Sequence, residues 1–382
     1  MKRLLLIADS NNIYTKRMLE NVLLPAGYEV VLYPIWGDRG VYADFFREKG
    51  VTVYRDSHTL PLVRHVPRLR MWARILLNLR DLARLGPFDA VHNHYLCAKD
   101  LALGQGAARR FGCVWACSFW GSDLLRAPLG NLRRMRPYLM RCDGLSVVNP
   151  DNIAYLRETL GDAVARKCRA LPVGQSGYDD IARVQKTHDR RACRQALGID
   201  PDAFVVAVCY NASRAQRPLE MLQALSALPP QRLKALTLVL QITYGNNDPD
   251  YTQSVQAFAA SLPCRTVTFT RFMGPDENAM LRLSTDVFLL GITTDSFSGT
   301  MQEYLYAGAV VLKGDWLTYP PLDDLGIRLN EFHDFSELPA LVCRALDGEL
   351  TPLAPQKRAL LPQHYSWAAL REKWLALYER EA

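Results

Sequence analysis

Two polar loops in the second half of the chain hold the residue types that bind phosphate and sugar hydroxyls. The first is Tyr210-Asn211-Ala212-Ser213-Arg214-Ala215-Gln216-Arg217, between the apolar run Phe204–Cys209 and a helix opened by Pro218. Two guanidinium groups beside the free N–H groups of a helix start can hold a diphosphate; a solvated basic loop is the plainer alternative. The second is Gly291-Ile292-Thr293-Thr294-Asp295-Ser296-Phe297-Ser298-Gly299-Thr300, followed by the helical Met301–Gly308. Its small residues, hydroxyls and N–H groups suit phosphate and sugar oxygens. Glu303 lies about one turn into that helix, placed to accept from a diol.

In the first half, Asp9-Ser10-Asn11-Asn12 follows the opening apolar run but lacks the Gly-x-Gly-x-x-Gly of dinucleotide binders, which disfavours a dehydrogenase. His92 and His94 could form a metal pair. With no acidic or Cys-x-x-Cys partner nearby, one satisfied histidine and one lining a ligand site is the preferred reading. In Ser118-Phe119-Trp120-Gly121-Ser122-Asp123, the turn after a strand presents a hydroxyl and a carboxylate; helix capping by Ser122 or Asp123 is the alternative. Asp200-Pro201-Asp202 and Asp248-Pro249-Asp250 have the spacing of a divalent-cation chelate. Their prolines and flanks read instead as a turn and a helix start, so no metal is expected.

These loops need elements to position them. Apolar runs at 3–8, 28–33, 51–54, 89–92, 113–118, 144–148, 168–172, 203–209, 235–242, 265–270, 286–290 and 309–312 alternate with amphipathic, helix-length stretches. Continuous apolar strands separated by helices predict parallel sheets covered on both faces. A polar seam near 173–190 restarts the alternation, which gives two doubly wound α/β halves. Ligands of such folds bind at the carboxyl ends of the strands, and a cleft between the halves is the expected site.

The chain has 382 residues, 49% hydrophobic and 22% charged, with a net charge of +7. That composition excludes a fibrous or disordered chain. Its apolar runs are too short for a membrane span or a signal peptide, so a cytoplasmic protein is expected. Nine scattered cysteines read as reduced thiols rather than a disulfide frame. Residues 1–180 carry 26 basic against 17 acidic side chains, and the remainder 20 against 22. The first half therefore faces an anionic partner. Residues 64–84 hold six arginines and one acid, and from Pro67 onward Leu69, Trp72, Leu76, Leu79 and Ala83 recur at helical spacing. This is either a basic amphipathic helix for an anionic membrane surface or a helix packed on the sheet. Nucleic acid is disfavoured, because no binding module accompanies the charge.

The second half resembles the nucleotide-sugar domain of family-4-type retaining glycosyltransferases, which have the two-Rossmann GT-B fold. The family's pair of acids eight apart is matched by Asp295 and Glu303 around Ser-Phe-Ser-Gly-Thr, in a helix closing at Ala307-Gly308. Thr268–Glu277 is similar to the base-binding loop, which assigns Phe272 and Met273 to the donor. His364–Trp367 and Leu370–Tyr378 resemble the terminal helix that crosses back to the first domain. The resemblance implies an acceptor domain at 1–175, a nucleotide-sugar domain at 176–362 and a crossover helix at 363–382.

It further implies sugar transfer with retention from a nucleotide diphosphate donor, without metal or cofactor, to a surface-glycan or lipid-linked acceptor. Glu303 would bind ribose, Asp295 the donor sugar, and Arg217 the leaving diphosphate. Arg214 would compensate for Ala212, which stands where the family has a second arginine. Asn211, Ser296, Phe297, Ser298, Gly299 and Thr300 complete the donor set. Asp123 joins Asp295 and Arg217 as catalytic. Asn11, Asn12, His92, His94, Trp120 (in place of a usual histidine) and Ser122 face the acceptor. The alternatives are a non-catalytic GT-B module for a glycan or partner, or a GT-B epimerase or phosphorylase.

Overall fold

The computed structural model describes residues 2–61, 65–245 and 248–379. It divides into two units, Met1–Gly174 with Trp367–Ala382, and Gln175–Ser366. The first unit contains β1 (Arg3–Ala8), β2 (Glu29–Pro34), β3 (Thr52–Val53), β4 (Ala90–His94), β5 (Val114–Ser118), β6 (Gly144–Val147) and β7 (Cys168–Ala170). They form one sheet in the order β3-β2-β1-β4-β5-β6-β7, with every pair parallel.

Burial on both faces explains the unbroken apolar runs. Leu5 and Ile7 of β1 enter one core with Leu82, Val91, Leu101 and Leu132. Leu4 and Leu6, pointing the other way, enter a second core with Met18, Val22, Leu370 and Trp374. The C-terminal helix Trp367–Leu375 thus belongs to the first unit. Arg371 Nε donates to Asn21 O at 2.7 Å, and Trp374 Nε1 to Pro172 O at 3.2 Å.

The second unit contains β8 (Phe204–Cys209), β9 (Leu236–Gln241), β10 (Arg265–Phe269), β11 (Val287–Leu290), β12 (Val310–Gly314) and β13 (Asn330–Phe332), ordered β10-β9-β8-β11-β12-β13 and parallel throughout. Strand order reverses between β1 and β4 in the first sheet and between β8 and β11 in the second. Loops leaving those strands therefore splay apart and leave room for a ligand. All twelve expected strands form; β13 is an addition. Its Asn-Glu-Phe carries a single buried apolar residue, Phe332, and it is held by Lys313 Nζ donating to Glu331 at 2.6 Å.

The helix Pro67–Leu85 departs from the expected face. It buries Ile75, Asn78 and Leu82, while Leu69, Trp72 and Leu76 stand 52%, 47% and 65% exposed. The stripe expected to act as one face is divided, because Leu79 turns partly inward while its neighbours one and two turns earlier point to solvent. Arg64 lies outside the described residues. Among the described residues, no helix is long and apolar enough to cross a membrane.

Candidate functional site

In the second unit, the switch between β8 and β11 brings the two polar loops together. Thr293 N donates to Ala215 O at 3.0 Å, joining the loop after β11 to the loop after β8. Asn211 Oδ1 accepts from Ser213 N at 2.9 Å, and Ser213 caps the short turn Arg214–Gln216. The chain then passes through Arg217 at φ 57°, ψ 39° before the helix Pro218–Leu225. A left-handed arginine is strained by its Cβ. Here its guanidinium lies over the Phe335 ring at 4.2 Å, with Nε 3.8 Å from Glu220. Gly291 packs so closely on Phe335 and Met221 that a Cβ would overlap both. Phe335, which carries the Arg217 guanidinium, thus also packs on the start of the second loop.

Arg214 is engaged elsewhere. Its Nη2 is 2.6 Å from Asp248, and the guanidinium covers the Tyr251 ring at 4.2 Å. Asp248 caps the helix Pro249–Ser261 by accepting from Tyr251 N. In Asp200-Pro201-Asp202, Asp200 accepts from Asp202 N at 2.9 Å, as a turn requires. Among the described residues, no group of three or more His, Cys, Asp or Glu side chains is arranged to hold a metal ion.

The second loop ends on the helix Gly299–Ala307, whose cap is Ser298 accepting from Met301 N at 3.2 Å. Gln302 donates to the carbonyls of Phe297 and Ser298 and accepts from Tyr178 Oη at 2.8 Å, so the turn is fixed from behind. Gln175 crowds the space a Cβ on Gly299 would need, and Thr300 follows in the first helical turn. Ser296 and Phe297 are buried, Phe297 edge-on to Tyr365 at 4.9 Å. Asp295 is half-buried and accepts from Tyr319 Oη at 2.9 Å. Burial, then the Asp295 charge, push the Tyr319 hydroxyl well above its ordinary range, so it stays a donor to that carboxylate.

Glu303 takes a hydrogen bond from Arg282 Nε at 3.1 Å. Arg282 is buried, and its Nη1 also donates to Gln241 Oε1 and Tyr304 Oη, at 3.0 and 3.1 Å. Gln241, at the end of β9, in turn donates to Asn278, whose amide holds Met273 O at 2.8 Å. Met273 is buried by this arrangement, while Phe272 projects with 75% of its surface exposed. Arg282, Gln241 and Tyr319 were not singled out from the sequence. Arg282 stands in a leucine-bearing helix, Pro275–Ser284, where an arginine ordinarily points to solvent.

In the first unit, the switch lies between β1 and β4. Asn12 caps the helix Ile13–Met18, and Asn11 reaches sideways, donating to Gly37 O at 2.9 Å and accepting from Arg39 N at 2.9 Å. His92 is fully buried, with Nδ1 2.6 Å from Tyr378 Oη and Nε2 2.7 Å from Ser118 Oγ. His94 Nε2 approaches His92 Nδ1 at 3.1 Å. Burial holds His94 neutral, with its pKa lowered to about 3. Burial and then the neighbouring His94 hold His92 well below the ordinary imidazole range. Trp120 packs between His94, Tyr14 and Trp374, with centroids at 5.0, 5.6 and 6.2 Å. Trp120 Nε1 and His94 Nδ1 are buried without a hydrogen-bond partner among the described residues.

Asp123 corrects the expectation of an exposed carboxylate at a turn. It is 5% exposed and accepts from Leu96 N and Trp120 N, both at 2.8 Å, clamping the loops after β4 and β5. Burial raises its pKa to about 7 against those N–H groups. Nor does Ser122 or Asp123 occupy the cap: that position is Gly121, at φ 110°. Ser122 Oγ instead meets Tyr95 Oη at 2.9 Å.

No family model and no curated protein matches the sequence. Solved structures match over nearly the whole chain. HepE from Anabaena, whose structures hold UDP and UDP-glucose, is 16% identical with a TM-score of 0.72, covering 98% of this chain and 99% of its own. A glycosyltransferase from Rickettsia africae is 13% identical with a TM-score of 0.74, covering 99% and 97%. Sucrose-phosphate synthase from Thermosynechococcus elongatus is 15% identical with a TM-score of 0.71, covering 99% and 98%. At such identities the likeness is one of fold, and the fold is GT-B: two Rossmann-like units with parallel sheets of seven and six strands.

Proposed function

We propose that the protein is a glycosyltransferase that moves a sugar from a nucleotide diphosphate donor, with retention and without a metal ion. The observation that carries this reading is the joining, by Thr293 N donating to Ala215 O, of the loop that holds Arg217 to the loop that ends on the capped turn Ser296–Thr300 and the helix of Glu303, at the switch point of the second sheet. Glu303 accepts from the ribose diol, held in place by Arg282. Phe272 offers an exposed ring to the base, and the N–H groups opening the helix Gly299–Ala307 meet the diphosphate. Arg217 offsets charge on the leaving phosphate oxygens as the glycosidic bond breaks. Asp295, oriented by Tyr319, binds the donor sugar. Arg214 serves at longer range, since Asp248 and Tyr251 hold it. HepE supports the donor class, because its structures contain UDP and UDP-glucose on the same fold.

The acceptor belongs to the first unit and is a surface-glycan or lipid-linked intermediate. Trp120 Nε1 and His94 Nδ1 would each gain a partner from an acceptor hydroxyl. Asp123 acts by holding the two loops that present them. Leu69, Trp72 and Leu76, flanked by Arg68 and Arg80, support a peripheral association with an anionic membrane surface.

Titration with UDP, GDP and dTDP, followed by the matching sugars with a reaction readout, tests this reading. A nucleoside diphosphate is expected to bind and to raise the melting temperature, and Arg217→Ala is expected to slow transfer or donor hydrolysis. Absence of binding by all three nucleotides would overturn it.

A further inference from the structure

The first unit has a cavity of about 930 Å³ at the carboxyl ends of β2 and β3, roofed by the start of the helix Pro67–Leu85. Five cationic side chains line it: Arg39, Arg55, Arg70, Arg74 and Lys99. The three carboxylates that line it are already satisfied. Asp56 accepts from Arg74 Nε at 2.5 Å, from Asn78 at 3.1 Å and from His58 N at 3.0 Å. Asp38 accepts from Ser10 Oγ at 3.1 Å and Gly40 N at 3.0 Å. Asp100 accepts from Cys97 Sγ at 2.9 Å and lies 3.5 Å from Lys99. Arg39, Arg55 and Arg70 consequently face this space with no carboxylate partner among the described residues.

The floor is polar and rigid. Asn78, buried on the helix, donates to Tyr33 Oη at 2.8 Å and accepts from Tyr54 Oη at 2.9 Å, and the two tyrosine rings stack at 5.3 Å. The rim is fixed too: Asn11 holds both Gly37 O and Arg39 N. Three unpaired guanidinium groups over a hydrogen-bonded floor match an anion with several oxygens, which guanidinium forks bind in pairs. The helix that supplies Arg70 also carries the exposed Leu69, Trp72 and Leu76.

We propose that this cavity binds the phosphate or diphosphate group of the acceptor, through Arg39, Arg55 and Arg70. That the ligand is an acceptor rests on the transferase reading above; the anion site does not. Two sources share this chemistry, a soluble sugar phosphate and a lipid phosphate.

The test measures binding of inorganic pyrophosphate to the full chain with UDP held at saturation, so that the second unit does not compete. The wild type should bind it. Arg39→Gln/Arg55→Gln/Arg70→Gln should weaken it about tenfold or more, because guanidinium forks that pair with the anion's oxygens are lost, with UDP affinity and melting temperature unchanged. The single Arg70→Gln provides a milder variant should the triple one fold poorly. No pyrophosphate binding beside UDP, or binding that survives these substitutions, would overturn the proposal. Glucose 6-phosphate and phosphatidylcholine vesicles doped with a polyprenyl diphosphate separate the sources. A lipid source predicts doped-vesicle binding that Trp72→Asp reduces while leaving pyrophosphate binding intact. A soluble source predicts that glucose 6-phosphate binds and that doping adds nothing. A chain that binds pyrophosphate in the cavity but no nucleotide anywhere would retain the anion site and lose the transferase reading.

Discussion

Arg282 Nε lies 3.1 Å from Glu303 Oε2, joining a buried guanidinium to a carboxylate that keeps 20% of its side-chain surface exposed. On the proposed reading, the pair orients Glu303 for the ribose diol. Wild-type protein is therefore expected to bind UDP about tenfold more tightly than its 2′,3′-dideoxyribose counterpart, the scale of a hydrogen bond to a charged group. Glu303→Gln should lose most of that preference. Calorimetric titration of both nucleotides into both proteins checks it, and an unchanged ratio in the variant would place the ribose elsewhere.

The same pair is structural on its buried side. Arg282 donates to Glu303, Gln241 and Tyr304 at once, so Arg282→Met strands three acceptors. Breaking one side of a buried ion pair costs about 3–5 kcal/mol, more than removing both partners. Arg282→Met is expected to lower unfolding stability on that scale. Arg282→Met/Glu303→Gln should be less destabilised than the sum of the single changes, as read from denaturant titrations.

Arg217 separates stability from activity. Its φ of 57° costs a non-glycine residue about 1–2 kcal/mol, against which the stacking on Phe335 returns about 0.5–1 kcal/mol. Arg217→Gly is thus expected to leave stability within about 1 kcal/mol of wild type, or to raise it slightly. Transfer should fall by about a hundredfold or more, the scale of losing one charge-stabilising group. Parallel melting and donor-turnover measurements test the split. A variant with unimpaired turnover would remove Arg217 from the diphosphate.

The sheets were legible because strands buried on both faces must be apolar at every position, as in Leu4–Ala8 and Val205–Cys209. β13 was not, since an edge strand held by Lys313 and Glu331 needs no apolar run. The two polar loops were legible through residue type, because glycines, hydroxyls and arginines sit together in sequence. Their support was not. Arg282, Gln241 and Tyr319 reach the site from three other elements, and nothing local distinguishes a buried arginine from a solvated one. Asp123 misled for a related reason: a carboxylate beside a turn is ordinarily exposed, and only the fold brings Leu96 N within 2.8 Å of it. The helix Pro67–Leu85 shows the limit of periodicity. Its spacing told that a face exists, while Tyr33 and Tyr54, binding Asn78, decide which side turns inward.

Buried titratable groups in the first unit give stability a predictable pH dependence. The His94 pKa is lowered to about 3, and that of His92 lies well below its ordinary value, both chiefly by burial. Unfolded histidine titrates near ~6.5. The unfolded chain therefore takes up protons first as pH falls, so the stability these residues contribute is complete above about pH 6.5 and falls on acidification, that of His94 being lost towards about pH 3. Asp123 acts in the opposite sense. Its pKa is raised from 3.8 to about 7, so its contribution is present below about pH 4 and lost as pH rises through about 7. Between about pH 4 and 6.5 two histidines oppose one aspartate, each with a limiting slope of about 1.4 kcal/mol per pH unit. Stability should fall on acidification across that window. His94→Phe, which keeps an aromatic ring beside Trp120, should flatten the curve, and Asp123→Asn should steepen it. Melting temperatures of the three proteins across the window decide the matter, and parallel curves would mean that these groups do not titrate as their burial requires.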